Sequence, residues 1–257
     1  MDSTGARADG VRVLVTGGTS GLGAAMASAL VDAGATVVIT GRDDARTAAA
    51  ALRLGGGTVG IAMDVRDDEA VERGVELAVS RLGGLDVLVN NAGIGMRTVN
   101  PHFFTAPQPF WTVSPEGFRD VVATNLSGYF LVARAVVPRL LAGGGGRVVN
   151  VSMNHSTMNR TGFVPYGPAR AGAEALSRIM AADLAGSPVT VNLLLPGGAT
   201  LTGMIPEDLP EEVRARLLPA SVMAEPIRWL CSPAAAGVHD QRIVANAFPA
   251  WLAEHAS

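Results

Sequence analysis

The apolar positions of this chain fall into short runs rich in β-branched residues, separated by Ala-rich stretches whose apolar residues recur at helical spacing. The runs predict strands at Arg12–Thr16, Thr36–Thr40, Val59–Met63, Val87–Asn90, Arg147–Ser152, Thr190–Leu195 and Ile243–Ala245. The stretches between them predict helices over Leu22–Ala33, Asp43–Leu54, Asp67–Arg81, Pro115–Leu141 and Tyr166–Leu184. Runs such as Val37-Val38-Ile39 are apolar without alternation, as strands covered on both faces are. Regular exchange of strand and helix predicts an α/β fold: a doubly wound, seven-stranded parallel sheet with helices on both faces, in a single domain over residues 1–257. Polar residues 1–10 read as a flexible N-terminus. Residues 94–113 and 197–219 break the rhythm with prolines, aromatics and an acidic run, and both follow strands. Ligands of open α/β sheets bind at the carboxyl ends of strands, so both segments read as substrate loops or a lid.

Composition narrows the function. At 48% hydrophobic and 17% charged residues, 257 residues suffice for a large core. The net charge of −3 comes from interspersed acids and bases, which leaves no basic stripe for nucleic acid. The apolar runs fall short of the roughly 20 residues that cross a bilayer, and no membrane partner is expected. Asp2 and Asp9 interrupt any secretory leader, so a cytoplasmic location is expected. Cys231 is the single cysteine, and no Cys/His cluster has ligand spacing, so no metal is expected. All 20 Lys and Arg residues are arginine.

The first predicted strand runs into Thr16-Gly17-Gly18-Thr19-Ser20-Gly21-Leu22-Gly23 and then directly into a helix. In this context backbone N–H groups and the positive helix end face a pyrophosphate, as in a Rossmann dinucleotide site. Gly17 permits the tight turn, Gly21 the approach of the phosphates, and Gly23 close packing of helix on strand. The plainer alternative is a tight turn that binds nothing.

The spacing Thr-Gly-x-x-x-Gly-x-Gly is joined by further marks: Asp64-Val65, Asn90-Asn91-Ala92-Gly93, Asn125 in Thr-Asn-Leu-Ser-Gly, Tyr166 opening a helix, and Pro196-Gly197. Together they resemble the short-chain dehydrogenase/reductase family over nearly the whole chain. The resemblance implies that Thr16, Gly17, Thr19, Ser20, Gly21, Leu22 and Gly23 hold the dinucleotide. It also implies that Asp64 and Val65 meet the adenine, that Asn91, Ala92 and Gly93 line the adenosine side, and that Pro196, Gly197 and Thr202 cradle the nicotinamide. A homodimer or homotetramer, built through the helices near Pro115–Leu141 and Tyr166–Leu184, is expected on the same ground.

Strand two ends in Gly41-Arg42, where an acid would bond the ribose of NAD and a base would accommodate the 2′-phosphate of NADP. Arg42 favours NADP; NAD remains open, because Asp43 or Asp44 would repel a phosphate and Arg42 could be a solvated strand-end residue.

The family reduces carbonyls or oxidises alcohols with a tyrosine acid/base, a lysine that supports it, a serine that polarises the carbonyl and an asparagine in a proton relay. Tyr166 and Asn125 match this pattern. Arg170 stands at the lysine position, four residues after Tyr166 and on the same helix face, with charge and donors but no ability to shuttle protons. Counting from Asn150 and from Tyr166, the serine position is Met153. Ser152 would point to the opposite side, while Asn154 or Ser156, ahead of His155, could bend back to replace the serine. Tyr166, Arg170, Asn125, Asn154 and Ser156 are therefore the candidate catalytic residues.

Met96, Phe103, Phe104, Phe110 and Trp111 gather in the first loop and suggest a hydrophobic or aromatic small-molecule substrate, unless they only pack the loop down. Met204 and Ile205 could close from the other side. Three readings follow: an NADP-dependent oxidoreductase, a catalyst of dehydration, isomerisation or cyclisation on the same fold, or a dinucleotide-binding protein without turnover.

Overall fold

The computed structural model describes residues 6–255. Its strands are β1 (Arg12–Val15), β2 (Thr36–Gly41), β3 (Val59–Ala62), β4 (Val87–Asn90), β5 (Gly146–Val151), β6 (Val189–Leu195) and β7 (Arg242–Val244). They form one parallel seven-stranded sheet in the order β3-β2-β1-β4-β5-β6-β7. Side chains alternate across it. Val13, Val15, Val37 and Ile39 join the core under α1 (Gly21–Asp32) and α9 (Ala224–Cys231), whereas Leu14, Val38 and Leu88 join the core under α3 (Asp68–Leu82) and α5 (Gly128–Ala142). Both faces are thus buried, which explains the unbroken apolar runs.

The strand order reverses between β1 and β4, and the crevice there opens at the carboxyl ends of the strands. The loops after β1, β4, β5 and β6 converge on that crevice. The helix α2 (Asp44–Leu54) starts behind Asp43, whose carboxylate accepts the Arg46 N–H at 2.7 Å. α7 (Tyr166–Asp183) leads from the crevice back along the sheet.

Three expectations are corrected. The helix expected over Pro115–Leu141 is divided into α4 (Pro115–Val122) and α5 by a π turn at Ala123–Ser127. The wider turn directs Asn125 at the β4 loop, where its amide bonds both the N–H and the carbonyl of Ile94, at 2.9 and 2.8 Å. The 28-residue run Pro115–Ala142 is also long and apolar enough, by length and composition, to cross a bilayer, which a search for unbroken apolar runs overlooks. Half of its apolar window is buried in the fold, with Tyr129, Val132, Val136 and Leu140 against the core.

The N-terminus is not free from residue 6 onward: Ala8 is buried, its N–H reaches the Ala33 carbonyl at 2.9 Å, and Arg7 pairs with Asp9. Residues 1–5 of that expected tail lie outside the described residues. Four helices were not predicted: α6 (His155–Met158), α8 (Glu211–Arg214), α9 and α10 (Phe248–His255). α6 and α8 hold a single turn each, and α9 and α10 carry Pro226 and Pro249 in their first turns, where proline is tolerated but obscures the pattern.

Candidate active site

The crevice is a cavity of about 970 Å³ running from the β2 end to the loops after β5 and β6. At its first end the β1–α1 turn is bound to the β4 loop. The Thr16 hydroxyl accepts the N–H groups of Asn91 and Ala92, both at 3.0 Å, and the Asn91 amide donates to the carbonyls of Thr16 and Gly17 at 2.9 and 3.1 Å. Thr16 and Gly23 therefore lie behind the wall, while Gly17, Thr19, Ser20, Gly21 and Leu22 line it with Asn91, Ala92 and Gly93. A Cβ on Gly17 would stand 2.7 Å from the Ala92 Cα, and Gly17 and Gly21 have φ of +65° and +57°, so both positions demand glycine.

Arg42 lines this end together with Arg46, one turn into α2, which the sequence reading missed despite its (i, i+4) spacing. Asp43, feared as a repulsive neighbour, spends its carboxylate on the α2 cap. Asp64 and buried Val65 also line the cavity. Both Asp64 oxygens are held by Arg66, at 2.7–3.1 Å, which keeps the carboxyl below its usual range.

Tyr166 opens α7 at the other end, with Phe163, Met153, Phe103 and Met96 packed beside its ring. Arg170, one turn on, is buried. One guanidinium nitrogen donates to the Tyr129 hydroxyl at 2.6 Å and to the Val151 carbonyl at 3.0 Å, and its carbon lies 5.4 Å from the centre of the Tyr166 ring. Burial opposes the charge, but the phenols of Tyr129 and Tyr166 outweigh it and raise the arginine pKa. A Cβ on Gly93 would come within 2.5 Å of the other terminal nitrogen and 3.1 Å of Asn125 Oδ1. Gly93 thus admits the guanidinium beside the cavity wall.

Met153 does occupy the cavity wall after β5. Ser152 also lines the cavity, but its hydroxyl donates to Glu174 Oε1 at 2.6 Å; His155 pairs with the other Glu174 oxygen at 2.9 Å. Arg242 of β7 bonds Glu174 at 3.1 Å and the Met153 carbonyl at 2.8 Å, so this cluster holds residues 152–155 from behind. Burial would raise the Glu174 pKa, but the donors from Ser152, His155 and Arg242 prevail and lower it. Asn154 lines the cavity and donates to the Gly197 carbonyl at 2.9 Å, whereas Ser156 is exposed and absent from the wall. Thr157, not singled out from sequence, lines the cavity in its place because one helical residue rotates the side chain by about 100°. Pro196 and Thr202 line the cavity, while Gly197 sits behind it.

A profile of the short chain dehydrogenase family matches residues 11–212. The chain belongs to the short-chain dehydrogenase family. It is 30% identical over 247 residues to the 3-oxoacyl-acyl-carrier-protein reductase of Vibrio harveyi, covering 93% of this chain and 96% of that one. It is 34% identical to the D-threitol dehydrogenase of Mycolicibacterium smegmatis over 74% of this chain and 70% of the relative. The 3-ketoacyl-(acyl-carrier-protein) reductase of Brucella melitensis, solved with NADH, superposes with a TM-score of 0.82 at 29% identity, over 92% of this chain and 96% of that one.

In this family member the two long loops, 94–113 and 197–219, are latched to each other beside the cavity. Arg97 bonds Glu207 at 3.0 Å and the Gly203 carbonyl at 3.1 Å, and His102 meets Asp208 at 2.7 Å. The His102 contact holds the Asp208 carboxyl below its usual range. The aromatic cluster divides: Met96, Phe103 and Phe104 line the cavity with Met204 and Ile205, but Phe110 and Trp111 are exposed and outside it. Among the described residues no group of three or more His, Cys, Asp or Glu could hold a metal ion.

Proposed function

We propose that this short-chain dehydrogenase is an NADP-dependent oxidoreductase that interconverts a carbonyl and an alcohol on a hydrophobic or aromatic small molecule. One observation carries the reading: a single cavity joins a glycine cradle with two arginines at its end to an apolar chamber whose wall includes Tyr166. A nicotinamide cofactor, when bound, supplies or accepts the hydride. In reduction, one ketone, one reduced dinucleotide and one proton give an alcohol and the oxidised dinucleotide.

The chain's own part begins with the backbone N–H groups around Gly17–Leu22, which bind pyrophosphate at the start of α1. Arg42 and Arg46 offer guanidinium forks to a 2′-phosphate. Asp64, Val65 and Asn91–Gly93 bound the adenosine side, and Pro196 with Thr202 the nicotinamide side. Tyr166 gives its phenolic proton to the developing alkoxide, and Arg170 stabilises the phenolate that remains. Asn125 holds the Ile94 backbone at the head of the chamber. Of the polar residues after β5 that line the cavity, Ser152 gives its hydroxyl proton to Glu174, while Asn154 and Thr157 can donate to the carbonyl where Met153 cannot.

A homodimer or homotetramer is part of the same reading: Phe118, Phe130, Leu141 and Ile179 expose large apolar surface on α4, α5 and α7. We place the enzyme in the cytoplasm, with neither nucleic acid nor membrane as partner. Fluorescence titration with NADPH and NADH, followed by absorbance assays with aromatic ketones, tests the assignment. NADPH should bind more tightly than NADH, wild type should consume it, and Tyr166→Phe should lower kcat by about 10²–10⁴-fold while retaining the cofactor. Tighter NADH binding would move the assignment to NAD, consistent with the Brucella relative solved with NADH.

A second reading rests on Met153 in the cavity wall where a hydroxyl is expected. Binding of NADPH without its consumption by wild type, but with consumption by a Met153→Ser, Arg170→Lys double variant, would favour a non-redox dehydration, isomerisation or cyclisation. Full retention of function in Tyr166→Phe would favour a binding protein without turnover.

A further inference from the structure

The substrate end of the cavity carries a cation that none of this uses. Arg160 follows α6 and lines the wall. Its guanidinium carbon lies 4.8 Å from the centre of the Phe104 ring and 5.2 Å from that of Phe163. The two rings come from separate segments, so the position of the charge depends on the folded chamber. Phe163 stands edge-on to Tyr166, with ring centres 6.5 Å apart. Arg160, Phe163 and Tyr166 therefore form a continuous row, with charge at one end and the phenol at the other.

Among the described residues, Arg160 has no carboxylate within ion-pair distance and no side-chain hydrogen bond. Arg97 and Arg170, the other guanidinium groups on this side, are occupied by Glu207 and by Tyr129. Contact with the Phe104 and Phe163 rings positions the guanidinium without engaging its N–H groups in hydrogen bonds, and those groups can take a carboxylate through two parallel hydrogen bonds. Arg160 is itself exposed, so its free N–H groups are open to an incoming carboxylate at the rim of the chamber.

We propose that Arg160 binds a carboxylate at the far end of the substrate, so that the substrates are hydrophobic oxo acids whose apolar body lies along Phe163. This rests on Tyr166 acting at the reacting carbonyl. The carboxylate takes no part in the redox step and fixes which carbonyl reaches the phenol.

Benzoylpropionate, benzoylbutyrate and benzoylvalerate, each beside its methyl ester, serve as probes. Calorimetric titration into the full chain, with and without NADP⁺, measures binding in a state where a ketone cannot be reduced. At the chain length that spans the row, the acid should bind at least about tenfold more tightly than its ester. Arg160→Leu and Arg160→Gln should abolish that preference while leaving ester affinity within about threefold, and Arg160→Lys should keep part of it. Equal affinity of acid and ester at every length, absence of acid binding, or an acid preference that survives Arg160→Leu overturns the proposal. Arg160-dependent acid binding without NADPH consumption would instead remove the redox reading and leave the carboxylate site standing. Reduction of acid and ester with equal kcat/KM would do the reverse.

Discussion

The Tyr129 hydroxyl lies 2.6 Å from an Arg170 guanidinium nitrogen, and both groups also bond the Val151 carbonyl, sealed from solvent beneath Tyr166. Tyr129 therefore sets where the positive charge under Tyr166 sits. Tyr129 comes from α5 and Arg170 from α7, and the Arg170 Nε is buried without a partner among the described residues. Loss of the Tyr129 hydroxyl would free a second buried donor. Tyr129→Phe should cost about 1–3 kcal/mol, read as a Tm lower by several degrees, and should reduce kcat more than it raises KM. An unchanged Tm and kcat would mean that Arg170 finds its place without Tyr129.

Gly93 has an ordinary backbone conformation, so its substitution tests contact rather than strain. The added Cβ of Gly93→Ala would collide with the Arg170 guanidinium at 2.5 Å. The guanidinium must shift, and kcat should fall about tenfold or more with the fold intact by circular dichroism. Gly55→Ala, whose Cβ meets nothing within 4 Å but whose φ is +67°, should lose stability without losing kcat.

Glu174 predicts acid sensitivity. Its folded pKa is lowered, so the unfolded chain takes up the proton first as pH falls. The associated stability is fully present above the ordinary glutamate value near 4.3 and is lost as pH falls through the lowered folded value. Glu174→Gln should be less stable at neutral pH and should show a flatter decline below about pH 4.3 in urea titrations. A parallel decline in the two proteins would exclude Glu174 as the source.

The loop latch should appear in substrate affinity rather than in chemistry. Removing the Arg97 and His102 contacts in Arg97→Ala, His102→Ala takes no hydrogen-bond partner from Arg170. KM for a bulky ketone should rise several-fold with kcat within twofold, and the effect should exceed that of 1 M salt on wild type, since Arg97 also bonds the uncharged Gly203 carbonyl. A fall in kcat alone would show that the loops control a step other than capture.

Much of the scaffold could be read from residue order. Backbone needs are local: Gly17 and Gly21 require positive φ within a single turn, and buried strands require apolar residues on both faces. The order of Gly17–Gly23, Asn91–Gly93, Asn125 and Tyr166 therefore carried the fold and the outline of the cleft in one dimension. Asn154 and Ser156 looked equivalent in that dimension. They differ because α6 turns one toward Gly197 and the other into solvent.

Sequence also determined that Arg170 follows Tyr166 by one helical turn, since that geometry is fixed by the helix itself. What holds Arg170 was decided only by tertiary structure, because Tyr129 lies 41 positions away and meets it across two helices. The same is true of Arg46 beside Arg42 at the β2 end of the cavity, of Glu174 behind Met153, and of Arg160 over rings from two separate segments. Local spacing specifies backbone conformation and helix faces. Charge placement depends on which elements pack together, and that is set by burial of both sheet faces at once, a property of the whole chain.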